Sequence, residues 1–362
     1  MQAADRVFLE AALELAERGR FTCAPNPTVG CLIWRNGEVI GRGYHQRTGG
    51  PHAEVNAIAD AGGDVAGATV YVTLEPCAFV SRTPACAQTL IDADVARVVV
   101  AATDPHPRVD GHGIDMLRAA GIEVTVLPMI AAAESIAGYV TRITSGRPLV
   151  RVKTASSLDG SVALGNGESQ WITGEAARMD VQYWRARAEA IITGVGTVLE
   201  DDPQLNVRAP AYSDCHQPLR VVLDSHLRTP ASARLLTDGG PTMLVHMPGV
   251  ERPAALADAA NVTCLAMDPR NLDALLAHLG EQCNEVLVEA GPGVCGSFAD
   301  AGLWDEWLCY VAPKWLGSDA RHLADFSVDK LSAAPHGDIL GVTHIGDDLC
   351  VRIGAKHGEH NL

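Results

Sequence analysis

Two α/β domains are the fold class that this sequence predicts, and three observations predict it. The chain has 362 residues, which is long for one domain and suits two. Apolar segments of strand length alternate along it with segments of helical periodicity. The run Thr-Ser-Gly-Arg-Pro at 144–148 has the composition of a hinge. We therefore expect one domain over residues 1–146 and a second over 147–362.

The first half predicts a helix, a hairpin and then alternating strands and helices. Asn36-Gly37 separates two apolar runs, which is a strong hairpin signal. The last helix before the hinge is expected to be continuous. The predicted helices cover 4–18, 53–61, 85–93, 113–120 and 131–143, and the predicted strands cover 31–34, 39–44, 69–74, 96–101 and 123–127.

The second half repeats the alternation and finishes with two strands, for which an antiparallel arrangement is plausible. The predicted helices cover 175–187, 272–279 and 294–301. The predicted strands cover 149–154, 190–193, 219–223, 242–245, 262–265, 286–289 and 307–311, followed by the tail strands 339–344 and 349–353.

Charge and composition narrow the class of partner. The formal net charge is −16, and the sequence lacks the basic clusters that a nucleic-acid backbone requires. We therefore expect a small-molecule substrate and no nucleic-acid partner. No run approaches eighteen apolar residues, so no membrane-spanning helix is predicted.

A cytoplasmic enzyme with reduced thiols is the expected setting. The first residues enter an amphipathic helix directly, without the pattern of a signal peptide. The ten cysteines are scattered over a long chain, which argues against a disulfide framework. Eight of them are interpreted mostly as small buried apolar residues, and Cys77 and Cys86 stand in a metal-like context.

A catalytic zinc site is predicted by His52-Ala53-Glu54, Pro76-Cys77 and Cys86. One histidine and two cysteines form a three-ligand set that leaves the fourth zinc position to water. Zinc lowers the pKa of that water to about 7, and the hydroxide attacks the amine-bearing carbon of a nucleobase ring. Glu54 would carry the proton from the water to the ring nitrogen. The pattern is typical of zinc-dependent nucleobase deaminases.

Two plainer interpretations of these residues stay open at this stage. His52 could be an ordinary buried histidine, with Pro76-Cys77 of no significance. A closed structural zinc site with a fourth ligand from elsewhere is also conceivable, although Glu54 would then have no purpose. The cysteines stand nine positions apart, whereas the common form of the motif is C-x-x-C.

A glycine-rich segment over residues 289–297 follows a predicted strand and opens a predicted helix. Such a helix start suits a pyrophosphate, because glycines permit close approach and the first amides are free. A tight strand-to-helix turn is an equally good interpretation. The segment lacks the G-x-G-x-x-G pattern of a Rossmann fold.

These motifs resemble the RibD family, the bifunctional deaminase–reductases of riboflavin biosynthesis. The resemblance covers essentially the whole chain. The longer cysteine spacing, with Arg-Thr-Pro inside it, is similar to that of this family. The matching segments are 24–30, 43–45, 50–54, 73–77 and 82–86 before the hinge, and 153–160, 167–173, 201–203, 288–292 and 312–314 after it.

The resemblance implies a cytidine-deaminase-like first domain with a mixed sheet and a dihydrofolate-reductase-like second domain. It implies zinc and NADPH as cofactors. The substrate would be a pyrimidine ribosyl phosphate, deaminated to the uracil and then reduced from ribosyl to ribityl. A homo-oligomer is also implied, since members of the family are often oligomeric.

The resemblance also assigns site residues. Lys153, Glu289 and Asp201 would manage protons for hydride transfer, beside Glu54 in the deaminase. Arg228 would join Ser225 at the cofactor's 2′-phosphate. The implied NADPH residues are Ala155, Trp171, Thr197, Asp201, Ser225, Gly291, Pro292, Gly293, Val294, Cys295, Gly296 and Ser297. The implied substrate residues are Asn26, His45, Arg82, Ser169, Arg185, Leu205, Arg208 and Glu289.

Plain structural alternatives apply to some of these residues. Arg185 could be a solvated charge on a helix. Asp201 or Asp202 could cap the turn before Pro203.

One departure from the family pattern falls between the zinc cysteines. The family usually has P-C-S-H-x-G-R-T-P-P-C, and this chain has Phe79 at the position of the substrate-contacting histidine and Ser81 at that of the glycine. A phenylalanine cannot donate a hydrogen bond. Either another residue supplies the contact, or the chain is a paralogue acting on a related pyrimidine, with a silent reductase as a further variant. An editing deaminase and a non-catalytic zinc module are the other hypotheses.

Overall fold

The computed structural model describes residues 2–79, 84–257 and 261–356. The chain separates into two units, Met1–Gly146 and Arg147–Leu362. None of the helices within the described residues is both long and apolar enough to cross a membrane.

The first unit is one mixed five-stranded sheet with helices packed on it. The strand order is β2-β1-β3-β4-β5, antiparallel across β2-β1-β3 and parallel across β3-β4-β5. Its strands are β1 (Gly30–Arg35), β2 (Glu38–Tyr44), β3 (Thr69–Val72), β4 (Arg97–Val100) and β5 (Glu123–Val126). Its helices are α1 (Gln2–Glu17), α2 (Ala53–Asp60), α3 (Cys86–Asp92), α4 (His112–Ala119), α5 (Ile130–Ser135) and α6 (Ala137–Ser145).

The turn and the close packing around β2 follow from specific residues. Asn36 and Gly37 both have positive φ, 53° and 91°, as a two-residue hairpin turn requires. Gly43 lets α2 lie directly on β2, because a Cβ there would stand 2.2 Å from the Ala53 carbonyl oxygen. This contact seats the start of α2 against the sheet.

The single helix predicted over 131–143 is wrong, because the structure has two helices that meet at Ile136 (φ −112°, ψ 13°). The carbonyl of Ser135 accepts hydrogen bonds from the Thr28 hydroxyl at 3.0 Å and from Arg20 at 3.3 Å. These long-range bonds take the place of the helical bond that a continuous helix would need there.

The second unit contains a nine-stranded sheet in the order β11-β10-β9-β8-β12-β6-β13-β16-β15. The strands from β11 to β13 run parallel, and β16 and β15 add an antiparallel finish. The strands are β6 (Leu149–Ser157), β7 (Ser161–Ala163), β8 (Ala190–Gly194), β9 (Leu219–Leu223), β10 (Thr242–His246), β11 (Val262–Ala266), β12 (Glu285–Val288), β13 (Glu306–Ala312), β14 (Arg321–His322), β15 (Gly337–Ile345) and β16 (Asp348–Ala355).

Helices cover this sheet, and some of them are absent from the prediction. The helices are α7 (Glu175–Arg187), α8 (Val195–Asp201), α9 (Arg234–Thr237), α10 (Ala254–Ala257), α11 (Leu272–Gly280) and α12 (Pro292–Asp300), with 3-10 turns at Pro210–Tyr212 and Leu331–Ala333. The helices α8, α9 and α10 and the short pair β7-β14 were not predicted. The predicted strand over 149–154 continues to Ser157, where it pairs with β13.

A half-buried carboxyl group at the amino end of this sheet gives a pH prediction. Glu189 Oε2 accepts the backbone amides of Asn284 at 2.8 Å and Glu285 at 2.7 Å. Burial, and then the charge of Glu285, raise the pKa of Glu189 to about 8 from an ordinary 4.5. Between pH 4.5 and about pH 8, Glu189 is protonated in the folded protein and ionised in the unfolded chain. The free energy of unfolding therefore falls as the pH rises through this window.

We expect Glu189→Gln to reduce the loss of Tm between pH 6 and pH 8.5, because glutamine cannot ionise. Thermal unfolding at the two pH values measures this effect. Glu281→Gln, at an exposed glutamate of the same unit, is the matched control and should behave like the wild type. An unchanged pH dependence in Glu189→Gln would contradict the prediction.

Candidate active sites

Three potential metal ligands meet at one end of the first sheet. His52 precedes α2 as its N-cap residue, Cys86 is the first residue of α3, and Cys77 lies in the loop that follows β3. His52 Nδ1 lies 3.2 Å from Cys86 Sγ and 3.7 Å from Cys77 Sγ. The three donor atoms all lie within 4.8 Å of one another.

This donor set fits zinc. With bond lengths of about 2.3 Å to sulfur and about 2.05 Å to nitrogen, tetrahedral zinc places its N and S ligands about 3.6 Å apart, which agrees with the two N···S distances. Within the described residues, these three are the only histidine, cysteine or acidic side chains that form such a group. Three protein ligands are the number that a catalytic zinc site has.

The protein itself favours a thiolate in this group. The hydrogen bond with Cys86, and then that with His52, lower the pKa of Cys77 to about 4 against the effect of burial. The backbone amide of Cys86 also donates to Cys77 Sγ at 3.2 Å. The hydrogen bond with Cys77 raises the pKa of Cys86, so Cys86 is the donor of this bond and the Cys77 sulfur accepts it.

Glu54 stands in the first turn of α2, beside the ligand group. Its side chain is 3% exposed. Burial, and then the negative charge of Cys77, raise the pKa of Glu54. A carboxyl group held in this way can accept and release a proton within the site.

Asn26 and His45 form a second polar pair in this unit. His45 Nδ1 lies 3.0 Å from the Pro51 carbonyl oxygen, which only accepts, so Nδ1 carries the proton. His45 Nε2 then accepts from Asn26 Nδ2 at 3.0 Å, which leaves Asn26 Oδ1 as an acceptor. Because His45 is 3% exposed, the structure places it behind Asn26, where it orients the amide.

The second unit gathers its charged residues around the carboxyl ends of β6 and β12. Glu289 follows β12, and Arg185 on α7 donates to its carboxylate through Nε at 2.6 Å and a terminal nitrogen at 2.9 Å. The Arg185 side chain is 11% exposed, so the interpretation as a solvated helix charge is wrong. Lys153 on β6 interacts electrostatically with both groups.

The pKa shifts separate the roles of this cluster. Burial lowers the pKa of Lys153. Burial acts to raise the pKa of Glu289, but Arg185 and Lys153 hold it below its ordinary value. Glu289 is thus the fixed anion, and Lys153 is the cation that gives up its proton most readily.

Two helix starts meet beside this cluster. α8 follows β8 and α12 follows β12, and the two strands are adjacent and parallel. The Gly291 amide donates to the Thr197 hydroxyl at 3.1 Å, which joins the two helix starts. The amides of Gly293 and Val294 lie in the first turn of α12, where an anion can bind. Cys295 and Gly296 are buried below this turn, whereas Ser297 is exposed.

The remaining implied residues lie at several places in this unit. Ser169 Oγ donates to Asp201 Oδ1 at 3.2 Å. Asp202 instead accepts the Arg234 amide at 2.8 Å, so it holds the start of α9. Trp171 is 63% exposed, with the Arg178 guanidinium 4.4 Å from its ring centre.

Arg208 belongs to the same charged neighbourhood as Arg185. Burial, and then the charge of Arg185, lower the pKa of Arg208. Two guanidinium groups close together suit an anion such as phosphate.

Leu205 is buried with a φ of 48°. Ala155 lies on β6, Ser225 follows β9, and Arg228 is exposed.

Comparisons with known proteins cover both units. The cytidine and deoxycytidylate deaminase zinc-binding region matches residues 2–102, and the RibD C-terminal domain matches residues 148–351. Riboflavin biosynthesis protein RibD of Escherichia coli (strain K12) is 42% identical over 364 residues, covering 96% of this chain and 99% of its own. The chain belongs to the RibD family.

Solved structures of the RibD family agree with this fold along the whole chain. Acinetobacter baumannii RibD, form 1, has a TM-score of 0.92 and 41% identity, covering 99% of this chain and 100% of its own. The deaminase/reductase of Thermotoga maritima has a TM-score of 0.89 and 31% identity, covering 98% and 99%. The fold class predicted from the sequence is confirmed, and so are zinc and NADPH as the cofactors of this RibD-family chain.

Arg82 lies outside the described residues, as does Ser81. Phe79 is the last described residue before that gap.

Sequence reasoning missed the role of Glu75. Its carboxylate accepts the backbone amides of Asp104, Gly111, Gly113 and Ile114 at 3.0 to 3.3 Å. A Cβ at Gly113 would stand 1.9 Å from the Pro76 carbonyl oxygen. These contacts fasten the segment between β4 and α4 to the loop that carries Cys77. The only available signal was an acidic residue directly before Pro76-Cys77.

Proposed function

We propose that this chain catalyses two consecutive steps of riboflavin biosynthesis. It deaminates 2,5-diamino-6-ribosylamino-4(3H)-pyrimidinone 5′-phosphate to the corresponding uracil, and then reduces the ribosyl group to ribityl. The observation that carries the proposal is the three-ligand donor set beside buried Glu54, in a RibD-family chain that keeps both units. The Thermotoga maritima relative is described as a diaminohydroxyphosphoribosylaminopyrimidine deaminase and 5-amino-6-(5-phosphoribosylamino)uracil reductase.

In the deaminase, His52, Cys77 and Cys86 would hold zinc. Zinc bound to three protein ligands supplies an activated water as the nucleophile. Glu54 would take a proton from the attacking water, pass it to the ring nitrogen and assist the departure of ammonia. Its burial keeps bulk water away from these transfers. Asn26, oriented by His45, presents its Oδ1 to the substrate.

In the reductase, NADPH supplies the hydride that reduces the sugar C1′. The amides at the start of α12 would bind the cofactor diphosphate, and Thr197 accepts the Gly291 amide that precedes them. Lys153 delivers the proton that the opening sugar requires, because burial has lowered its pKa. Glu289 holds Arg185 through two hydrogen bonds, and its negative charge acts on Lys153.

The partners and the setting are part of this proposal. The substrate is a small pyrimidine ribosyl phosphate, bound without nucleic acid or membrane, and the net charge of −16 supports the exclusion of nucleic acid. We also propose a homo-oligomer in the cytoplasm. The scatter of the ten cysteines over a long chain supports a reducing compartment.

The paralogue hypothesis is not favoured. Riboflavin biosynthesis protein RibD of Haemophilus influenzae is 43% identical and, like the Escherichia coli protein, matches 95% or more of this chain. Complementation of a riboflavin auxotroph that lacks both activities tests the proposed function. Growth without riboflavin is expected, whereas no growth from a well-expressed protein would contradict it.

A further inference from the structure

Phe79 lies under two side chains from another part of the chain. The Arg108 guanidinium carbon lies 3.8 Å from the centre of the Phe79 ring. The His106 ring lies beside it, with ring centres 5.7 Å apart and planes inclined by 33°. A guanidinium within about 6 Å of an aromatic ring centre is attracted by the ring's negative face. Phe79 is therefore a platform for a positive charge.

The segment that carries Arg108 is held firmly in place. It lies between β4 and α4, where Glu75 binds its backbone amides from both ends. Within it, Asp104 accepts the His106 amide at 2.9 Å and the Tyr139 hydroxyl at 3.0 Å. The position of Arg108 relative to the zinc loop is thus fixed by buried polar groups.

His106 fixes the backbone of Arg108 directly. The Arg108 amide donates to His106 Nδ1 at 3.1 Å. The His106 ring therefore contacts Phe79 on one side and holds the Arg108 main chain on the other. Arg108 is positioned at both its backbone and its guanidinium group.

The charge of Arg108 is available for a ligand. Arg108 forms no ion pair with a carboxylate among the described residues, and its side chain is exposed. An ordered guanidinium with free donors suits the forked oxygens of a phosphate. Two residues of chain span at most about 7 Å, so Phe79 lies within reach of a substrate bound at Cys77.

We propose that Arg108 binds the phosphate of the deaminase substrate and that Phe79 positions its guanidinium group. This inference rests on the proposed function, because the anion is the ribosyl phosphate of that substrate. In the family pattern a histidine at position 79 contacts the substrate. Here Arg108, which stacks on Phe79, supplies the substrate contact instead. Phe79 is a positioning residue, and Arg108 is the one that touches the substrate.

Steady-state deamination by the zinc-loaded full-length protein tests this proposal. We expect Arg108→Met to raise KM by about tenfold or more, since hydrogen bonds to charged groups have this magnitude. The value of kcat should change by less than about twofold, because the contact of Arg108 with the phosphate is equally strong in the ground state and the transition state. Arg108→Lys should recover most of the loss, because lysine keeps the charge without the fork. Phe79→Leu should raise KM by a smaller factor.

Controls separate this inference from the proposed function. Arg118→Met, at an exposed arginine of α4, should match the wild type. The dephosphorylated substrate should have the same KM in the wild type and in Arg108→Met, and NADPH oxidation with the deaminated substrate should be unaffected. A wild-type KM in Arg108→Met would overturn the inference while leaving the proposed function intact. A KM increase that persists with the dephosphorylated substrate would also overturn it. A wild-type protein that releases no ammonia would refute the proposed function itself.

Discussion

Glu54→Gln lowers the rate of ammonia release by about 10²- to 10⁴-fold, the usual contribution of a positioned proton carrier. Glutamine has nearly the same size and can keep a hydrogen bond, but it cannot take a proton from water. The three ligands are untouched, so the variant should still bind one zinc ion per chain. The second unit should oxidise NADPH at the wild-type rate when the deaminated substrate is supplied.

Ammonia release, zinc content and NADPH oxidation are measured on the same preparation of Glu54→Gln. Glu10→Gln, at an exposed glutamate of α1, is the matched control and should keep all three values. Deamination at the wild-type rate in Glu54→Gln would show that another group carries the proton. Loss of zinc together with activity would show that Glu54 acts mainly on the ligand group.

Lys153→Met affects the second reaction and not the first, in contrast to Glu54→Gln. It lowers the rate of NADPH oxidation by about 10²- to 10⁴-fold and leaves the rate of ammonia release unchanged. Methionine keeps the length of the side chain but cannot transfer a proton. Burial lowers the pKa of Lys153, which is why its proton is available for the opening sugar. Arg185 keeps its two hydrogen bonds to Glu289, so the anion stays paired.

The comparison for Lys153→Met is Lys330→Met, at an exposed lysine of the same unit, which should have no effect. NADPH binding, followed by fluorescence titration, should remain within about threefold of the wild type, since Lys153 acts on chemistry rather than on uniform binding. A variant that keeps its reduction rate would exclude Lys153 as the proton donor.

Local patterns predicted much of the fold and the zinc site. Asn36-Gly37 specified its hairpin because the required positive φ values are a property of those two residues. The ligands His52 and Cys86 lie at helix starts. Pro51 and Pro84 predict these starts, because proline is favoured there. α7 has the predicted bounds, since Ala177, Val181 and Trp184 repeat with helical spacing on its buried face.

The remaining features depend on contacts between distant parts of the chain. The break at Ile136 arises because Thr28 and Arg20 bind the Ser135 carbonyl, and no local sequence reports that. α8 contains Gly196 and β-branched residues, which have weak helical propensity, so its sequence does not predict a helix. The stacking of Arg108 on Phe79 joins loops that lie on either side of α3 and β4. Residue spacing alone could not bring them together.

The most direct measurement of the central claim is the stoichiometry of ammonia and NADP⁺ formed from the diaminopyrimidine ribosyl phosphate. The zinc-loaded protein should release ammonia without NADPH. With NADPH present, it should form one NADP⁺ for each ammonia released, and it should form none when deamination is blocked by Glu54→Gln. Ammonia release with no NADPH oxidation, or NADPH oxidation before deamination, would contradict two consecutive reactions on this chain.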